Sequence, residues 1–323
     1  MEKEVDIVAL GELLIDFTEA GESQSGMKVF EQNPGGAPAN LLTVASHMGY
    51  KTAFIGKVGK DMHGSFLIKT LQQEKICTDY IIETEDFFTT LAFVAINENG
   101  ERQFSFSRKP GADTQLEKSD LDVDLLRNCR IFHFGSLSLT DEPARGTTLE
   151  AVCIARNAGA LISYDPNYRD SLWKKQETAI RIMRSVIPYA DVMKVSDEES
   201  FLLTGESDYK AAAEKLLVEG PKLVAITLGC DGVFLATGKM SGHIEAFFAE
   251  AADTTGAGDS FWGGFLCRYL KYQKKIEDLE WSELQKCAIY GNATASLCVQ
   301  RRGGIPAIPG KEEVELLAKM RIS

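Results

Sequence analysis

The sequence predicts an α/β fold: a central, mostly parallel sheet flanked by helices, with a small β-sheet lid set apart from it. Three observations carry that prediction. From residue 115 onward, short apolar strands alternate with helical stretches of about 12 residues, the pattern of βαβ units and of a parallel sheet. Residues 223–235 hold a buried, mostly apolar strand, a Gly-flanked turn and a second strand, as expected where both faces of a sheet are covered. Residues 102–108, Arg-Gln-Phe-Ser-Phe-Ser-Arg, instead alternate aromatic and polar side chains. That strand has two unlike faces and belongs to a separate sheet.

At 323 residues the chain can bury a large core, and a single domain over residues 1–323 with a small appendage suits that length. The net charge of -12 argues against a nucleic-acid surface, and no cluster of Lys and Arg, Arg301-Arg302 included, offsets it. No apolar run approaches the roughly 20 residues of a membrane helix, and the N-terminus is charged. A soluble, cytoplasmic protein with small-molecule partners is expected. The seven cysteines include no CxxC pair and read as reduced thiols, and the four histidines are scattered without an HExxH motif, so no structural metal is expected.

Taking the elements in order, Val5–Leu10 is a first strand that breaks at Gly11 and resumes over residues 13–17. Asp16 interrupts that apolar run and either caps a turn or points into a site. Residues 18–33 are polar with Gly and Ser, so they form a loop or short hairpin. Asn33-Pro34-Gly35-Gly36-Ala37-Pro38-Ala39-Asn40 enters a helix that Gly49 stops, and its two glycines let backbone pack against a small ligand. His47 on that helix reads as a packing residue. Residues 52–59 form the next strand; they end in Gly-Lys-Val-Gly without Walker-loop spacing, and Asp61 opens the following helix. Residues 89–96 and 101–107 flank an Asn-Gly turn and make a hairpin. With part of residues 18–33 they form the lid, about 18–33 and 89–108, which covers a substrate and excludes water.

Farther on, residues 131–136 are a strand with His133 in the core, 147–159 an amphipathic helix ended by glycine, and 161–165 another strand. Asp165, Asn167 and Arg169 follow at its carboxyl end, where parallel sheets gather their ligands. Asp197-Glu198-Glu199 is acidic at a helix start, which by itself is a solvated first turn matched to the dipole. Residues 288–299 read as a helix carrying Asn292.

Asp253-Thr254-Thr255-Gly256-Ala257-Gly258-Asp259 then feeds an apolar run. Gly256, Ala257 and Gly258 carry almost no side chain, so their N–H groups, with the helix dipole behind them, suit an anion. A carboxylate in that cradle repels phosphate and must have its own task. Asp259 is placed to take a proton from a hydroxyl held between itself and a terminal phosphate.

This seven-residue motif resembles the C-terminal signature of the ribokinase (PfkB) family of sugar kinases, and Gly-Gly-x-x-x-Asn at 35–40 resembles the N-terminal one. In family order, the two make the resemblance cover nearly the whole chain. It implies a ribokinase-like fold, with Asp259 as catalytic base and the Gly256, Ala257 and Gly258 amides as anion hole. It also implies sugar contacts from Asp16, Gly35, Gly36 and Asn40. Arg108 resembles the sugar-facing arginine of fructokinases, a surface arginine being the alternative. Asp-x-Asn-x-Arg-x-x-Leu-Trp at 165–173 is similar to the fructokinase and 2-keto-3-deoxygluconate kinase branch, which makes Arg169 the specificity candidate. The resemblance gives the ATP side to Lys194, Glu199, Thr227, Gly229, Gly232 and Asn292. Glu199 matches a glutamate that organises Mg²⁺ through water, although Ser196 replaces the asparagine of ribokinase. A K⁺ site is implied at Asp253, Thr255, Cys298, Arg301 and Gly303, and pairing through the lid implies a homodimer. The expected reaction is ATP-dependent phosphorylation of the primary hydroxyl of fructose. Alternatives are 2-keto-3-deoxygluconate kinase, a nucleoside kinase and a non-catalytic sugar-binding regulator.

Overall fold

The computed structural model describes residues 3–96 and 102–322. In chain order the first half holds β1 (Val5–Leu10), β2 (Leu14–Glu22), β3 (Lys28–Gly35), α1 (Ala37–His47), β4 (Thr52–Gly59), α2 (Met62–Gln73), β5 (Ile81–Thr84), β6 (Leu91–Ile96) and β7 (Arg102–Ser107). Next come α3 (Val123–Arg127), β8 (Cys129–Gly135), α4 (Ala144–Asn157), β9 (Leu161–Asp165), α5 (Gln176–Val186), β10 (Val192–Ser196), α6 (Asp197–Thr204) and α7 (Tyr209–Val218). The chain finishes with β11 (Leu223–Thr227), β12 (Val233–Thr237), β13 (Ser241–Ile244), α8 (Ala257–Leu270), α9 (Trp281–Cys298) and α10 (Lys311–Ile322).

Nine strands form one sheet in the order β13-β12-β11-β10-β9-β8-β1-β4-β5. Its neighbours from β5 to β11 run parallel, and β12 and β13 add an antiparallel edge. The period of two along β1 supplies both faces: Ile7 and Ala9 join a core with α1, α8, α9 and α10, while Val8 and Leu10 join one with α3, α4, α5 and α7. Such two-sided cover is why these strands read as unbroken apolar runs. His133 on β8 is core, as expected. It lies 2.9 Å from Ser163 Oγ, which also accepts the Trp262 indole N–H, and burial pushes its pKa down to about 3. His47 is also a packing residue, bridging Glu74 and the Pro309 carbonyl.

The separate sheet is larger than the sequence suggests. Four strands lie in the order β3-β2-β6-β7, so residues 13–17 do not continue β1 but start the second sheet, and the polar stretch 18–33 is mostly long hairpin. Its polarity misleads because most of β2 and β3 beyond Ile15 is only partly covered or open to water, which leaves no apolar alternation to read. Two helices also begin earlier than their apolar periodicity indicates, α4 at Ala144 and α9 at Trp281. The Asn-Gly turn at 97–100 lies outside the described residues.

Candidate active site

A cavity of about 1120 Å³ opens between the small sheet, which lends Asp16, Asn33 and Val94, and the carboxyl ends of β10 and β11, which lend Lys194 and Thr227. The starts of α1 and α8 close it, and the packing of those helices sets its geometry. A methyl group on Gly263 would stand 2.8 Å from Val44 Cβ, so glycine there lets α8 press against α1. Asn40, one turn into α1, thereby meets Asp259, one turn into α8: its amide Nδ2 donates to Asp259 Oδ2 at 2.8 Å. The other amide atom, Asn40 Oδ1, is buried without a hydrogen-bond partner, and it faces Gly304, where a methyl would stand 2.7 Å from it.

The turn before α1 is equally constrained. Gly36 has φ 124°, and a methyl there would stand 2.4 Å from the Glu12 carbonyl oxygen, while one on Gly35 would stand 2.2 Å from Asp16 Oδ2. Glu12 Oε1 accepts the Ala37 N–H at 2.9 Å and holds the turn from below. Burial pushes the Glu12 carboxyl up to about 7, the Asp113 charge adding to it and backbone N–H groups and Arg108 opposing.

Asp259 lies against three charges. Burial raises its pKa to about 6 and Asp165 adds to this, while Lys194, the Asn40 hydrogen bond and Arg169 favour the ionised form. Asp16 is likewise pushed to about 6 by burial, with Arg169 opposing and Asp253 and Asp259 adding to it. The parallel register of β9 and β10 pairs Tyr164 with Met193, so the next step sets Asp165 beside Lys194, and Nζ donates to Asp165 Oδ2 at 2.9 Å. Both are nearly buried, and Asp165, Glu199 and Asp259 hold the ammonium above the usual lysine range despite its desolvation. No side chain caps α8, and Gly256, Ala257, Gly258 and Asp259 all line the cavity. The start of α8, a buried carboxylate and a buried cation therefore converge on one space.

A model of the pfkB family of carbohydrate kinases matches residues 5–311. The chain belongs to the pfkB family of carbohydrate kinases. Members are phosphotransferases acting on an alcohol group. A probable fructokinase-4 of Arabidopsis thaliana is 40% identical over 97% of this chain and 96% of its own. A fructokinase of Xylella fastidiosa, solved with bound ATP, superposes with a TM-score of 0.91 at 31% identity, covering 98% of this chain and 99% of that one. A fructokinase double mutant of Vibrio cholerae, holding fructose, ADP and a potassium ion, gives 0.87 at 27% identity over 98% and 100% of the two chains. This chain is a fructokinase-like sugar kinase.

The kinase brings most of its predicted residues to the cavity. Asp16, Gly36, Asn40 and Arg169 line the part under the small sheet, and Lys194, Glu199, Thr227 and Gly229 the part over β10 and β11. Ser196 caps α6, its Oγ accepting the Glu199 N–H at 3.1 Å. Glu199 returns a bond to the Ser196 N–H at 2.8 Å and also accepts the Tyr168 N–H at 2.6 Å. Gly232 and Asn292 do not reach the cavity. A methyl on Gly232 would stand 2.2 Å from the Ile244 oxygen, and Asn292 Nδ2 donates to the Glu245 carbonyl at 2.9 Å, so both hold residues 244–246.

Arg108 departs furthest from expectation. It is neither on the surface nor on the cavity wall: Nε donates to Asp113 Oδ2 at 2.8 Å, and the rest of the guanidinium meets Thr140 and the Leu137 carbonyl. The Asp253 carboxylate draws residues 255 and 303 together. It accepts the Thr255 N–H at 2.8 Å and the Gly303 N–H at 3.1 Å, the Cys298 thiol faces the Thr255 carbonyl, and the Arg301 N–H reaches the Cys298 carbonyl. The Arg301 side chain points away to Glu313. Among the described residues no group of three His, Cys, Asp or Glu side chains could hold a metal, and no helix is long and apolar enough to cross a membrane. Sequence reasoning missed Glu12 and the pairing of Asp165 with Lys194. A Glu next to Gly11 at a strand break, and an acid ending one parallel strand with a lysine inside the apolar run of the next, were the available signals.

Proposed function

We propose that this kinase transfers the γ-phosphoryl group of ATP to the primary 6-hydroxyl of fructose. The observation that carries the reading is Asp259: a buried carboxylate, bonded to Asn40 and raised to about 6, in the first turn of an uncapped helix that borders the cavity. With the sugar under the small sheet, its hydroxyl oxygen attacks phosphorus in line. Asp259 takes the departing proton, and the amides of Gly256, Ala257 and Gly258 meet the charge spreading over the transferred group. A largely dissociative transition state asks the protein mainly for positioning and charge, which suits a weakly basic carboxylate.

Asp16, Gly35, Gly36 and Asn40 hold sugar hydroxyls in this reading, supported by Asp16, Gly36 and Asn40 on the cavity wall, with Gly35 just behind it against Asp16. Arg169, lining the cavity and acting electrostatically on both Asp16 and Asp259, sets sugar preference. Mg²⁺, when bound with the nucleotide, neutralises phosphate charge. Both Glu199 oxygens already accept backbone N–H groups, so Glu199 would serve that ion through water and not as a direct ligand. The Asp253 loop, with Thr255 and Gly303 drawn together, fits a monovalent cation beside the anion hole.

Arg169→Ala is expected to raise the sugar KM about tenfold or more while the ATP KM stays within about twofold, since a charged hydrogen bond is lost on one substrate only. An unchanged sugar KM would move specificity elsewhere. The reading itself is tested by ADP release with MgATP and K⁺ on fructose, 2-keto-3-deoxygluconate, ribose and a purine nucleoside at equal concentration. Fructose is expected to exceed a kcat/KM of about 10⁴ M⁻¹s⁻¹. Preference for the keto acid would keep the chemistry and replace the substrate.

A further inference from the structure

The β6–β7 hairpin of the small sheet is joined to the body where β6 begins and β7 ends, and these two crossings converge on one side chain. Entering, Thr90 Oγ1 donates to Asp113 Oδ1. Leaving, Arg108 gives Asp113 Oδ2 both a hydrogen bond at 2.8 Å and an ion pair at 2.6 Å. The Arg108 and Asp113 side chains are 3% and 2% exposed. A third strand is tied to the same place, because the Ile15 N–H of β2 donates to the Thr90 carbonyl at 3.1 Å. Backbone closes the knot: the Ala112 N–H reaches the Phe88 carbonyl at 2.9 Å. Gly111 must lack a side chain here, since a methyl would stand 1.9 Å from Thr90 Oγ1. Arg108 is further anchored to the body through Thr140 and Leu137, and Leu137 itself lines the cavity.

We infer that Asp113 is a positioning residue that fastens both limbs of the β6–β7 hairpin, and with it the small sheet, at a fixed angle over the cavity, and that Arg108 acts through it and not on the sugar. The physical reason is that a buried carboxylate is tolerable only while its donors are present, so each limb is held where it satisfies the same two oxygens. Asp16, Asn33 and Val94 ride on that sheet, so the fastening governs how tightly it covers the sugar and how well water is kept from the phosphoryl group. The inference rests on the kinase reading above for its kinetic consequence but not for its structural one.

Thr90→Val removes one donor at nearly constant volume and is the first variant to make. Hydrogen exchange of amides 91–94 is expected to quicken about tenfold while amides 7–10 in β1 are unchanged. With fructose and MgATP, the sugar KM is expected to rise about tenfold, the ATP KM to stay within about twofold, and more ATP to be lost to water per sugar phosphorylated. Thr90→Ser, which keeps the hydroxyl, should restore both readouts. Asp113→Asn, which turns an amide N–H₂ toward Arg108 or Thr90, should show larger changes of the same kind if it folds. Folded Thr90→Val with exchange at 91–94 and sugar KM both within about twofold of wild type would overturn the fastening role. If wild type does not act on fructose, the substrate reading falls while the exchange result still decides the role of Asp113.

Discussion

Asp259→Ala is expected to lower kcat by about 10³-fold, within the range that a positioned general base supplies, while both KM values stay within a few-fold. The expectation follows from what surrounds the group. Asn40 fixes one oxygen, and the carboxylate lies in the first turn of α8, on the wall of the cavity. The same geometry sets the pH dependence. A base must be ionised to accept a proton, and burial has moved Asp259 from the ordinary carboxylate range to about 6. The sign is therefore a loss on acidification: kcat/KM should fall about tenfold per unit as the pH drops below about 6. A variant that keeps a tenth of wild-type kcat would remove Asp259 as the base.

The second large effect is expected at Lys194. Lys194→Met leaves Asp165 buried without its counter-ion, and breaking such a pair from one side costs about 3–5 kcal/mol. Urea unfolding should show this as a lower midpoint with an unchanged slope. Lys194 also favours the ionised form of Asp259, so its removal should raise the Asp259 pKa further and move the acid limb of kcat/KM to higher pH. Nucleotide binding should weaken in addition, because the ammonium borders the cavity. An unchanged unfolding midpoint together with an unmoved acid limb would show that the pair is neither structural nor coupled to the base.

What could be read beforehand divides along physical lines. Strands β1, β4 and β9 were legible to the residue because cover on both faces makes their apolar runs continuous and glycines or acids end them. The Gly-Ala-Gly start of α8 and the Gly35-Gly36 turn before α1 were legible as loop-to-helix junctions because glycine marks the places where backbone turns tightly. The hairpin of β2 and β3 was not, since partly wet strands of mixed polarity look like loop. Side-chain destinations were least legible. Arg108 stands where a sugar ligand is expected, yet Asp113, five residues on, turns its guanidinium into the body. Gly232 and Asn292 similarly spend their contacts on residues 244–246 and not on the cavity.

The parallel pairing of β2 with β6 has a kinetic meaning. Ile15 and Leu91 are neighbours in that ladder, although α1, β4, α2 and β5 lie between them in the chain. Each hairpin of the small sheet closes locally, but the ladder joining the two spans a long loop whose entropy is offset only once the intervening body has compacted. During refolding the two hairpins should therefore join late. A partly folded chain would assemble the main sheet's side of the cavity first, and newly made protein would gain the small sheet's side last.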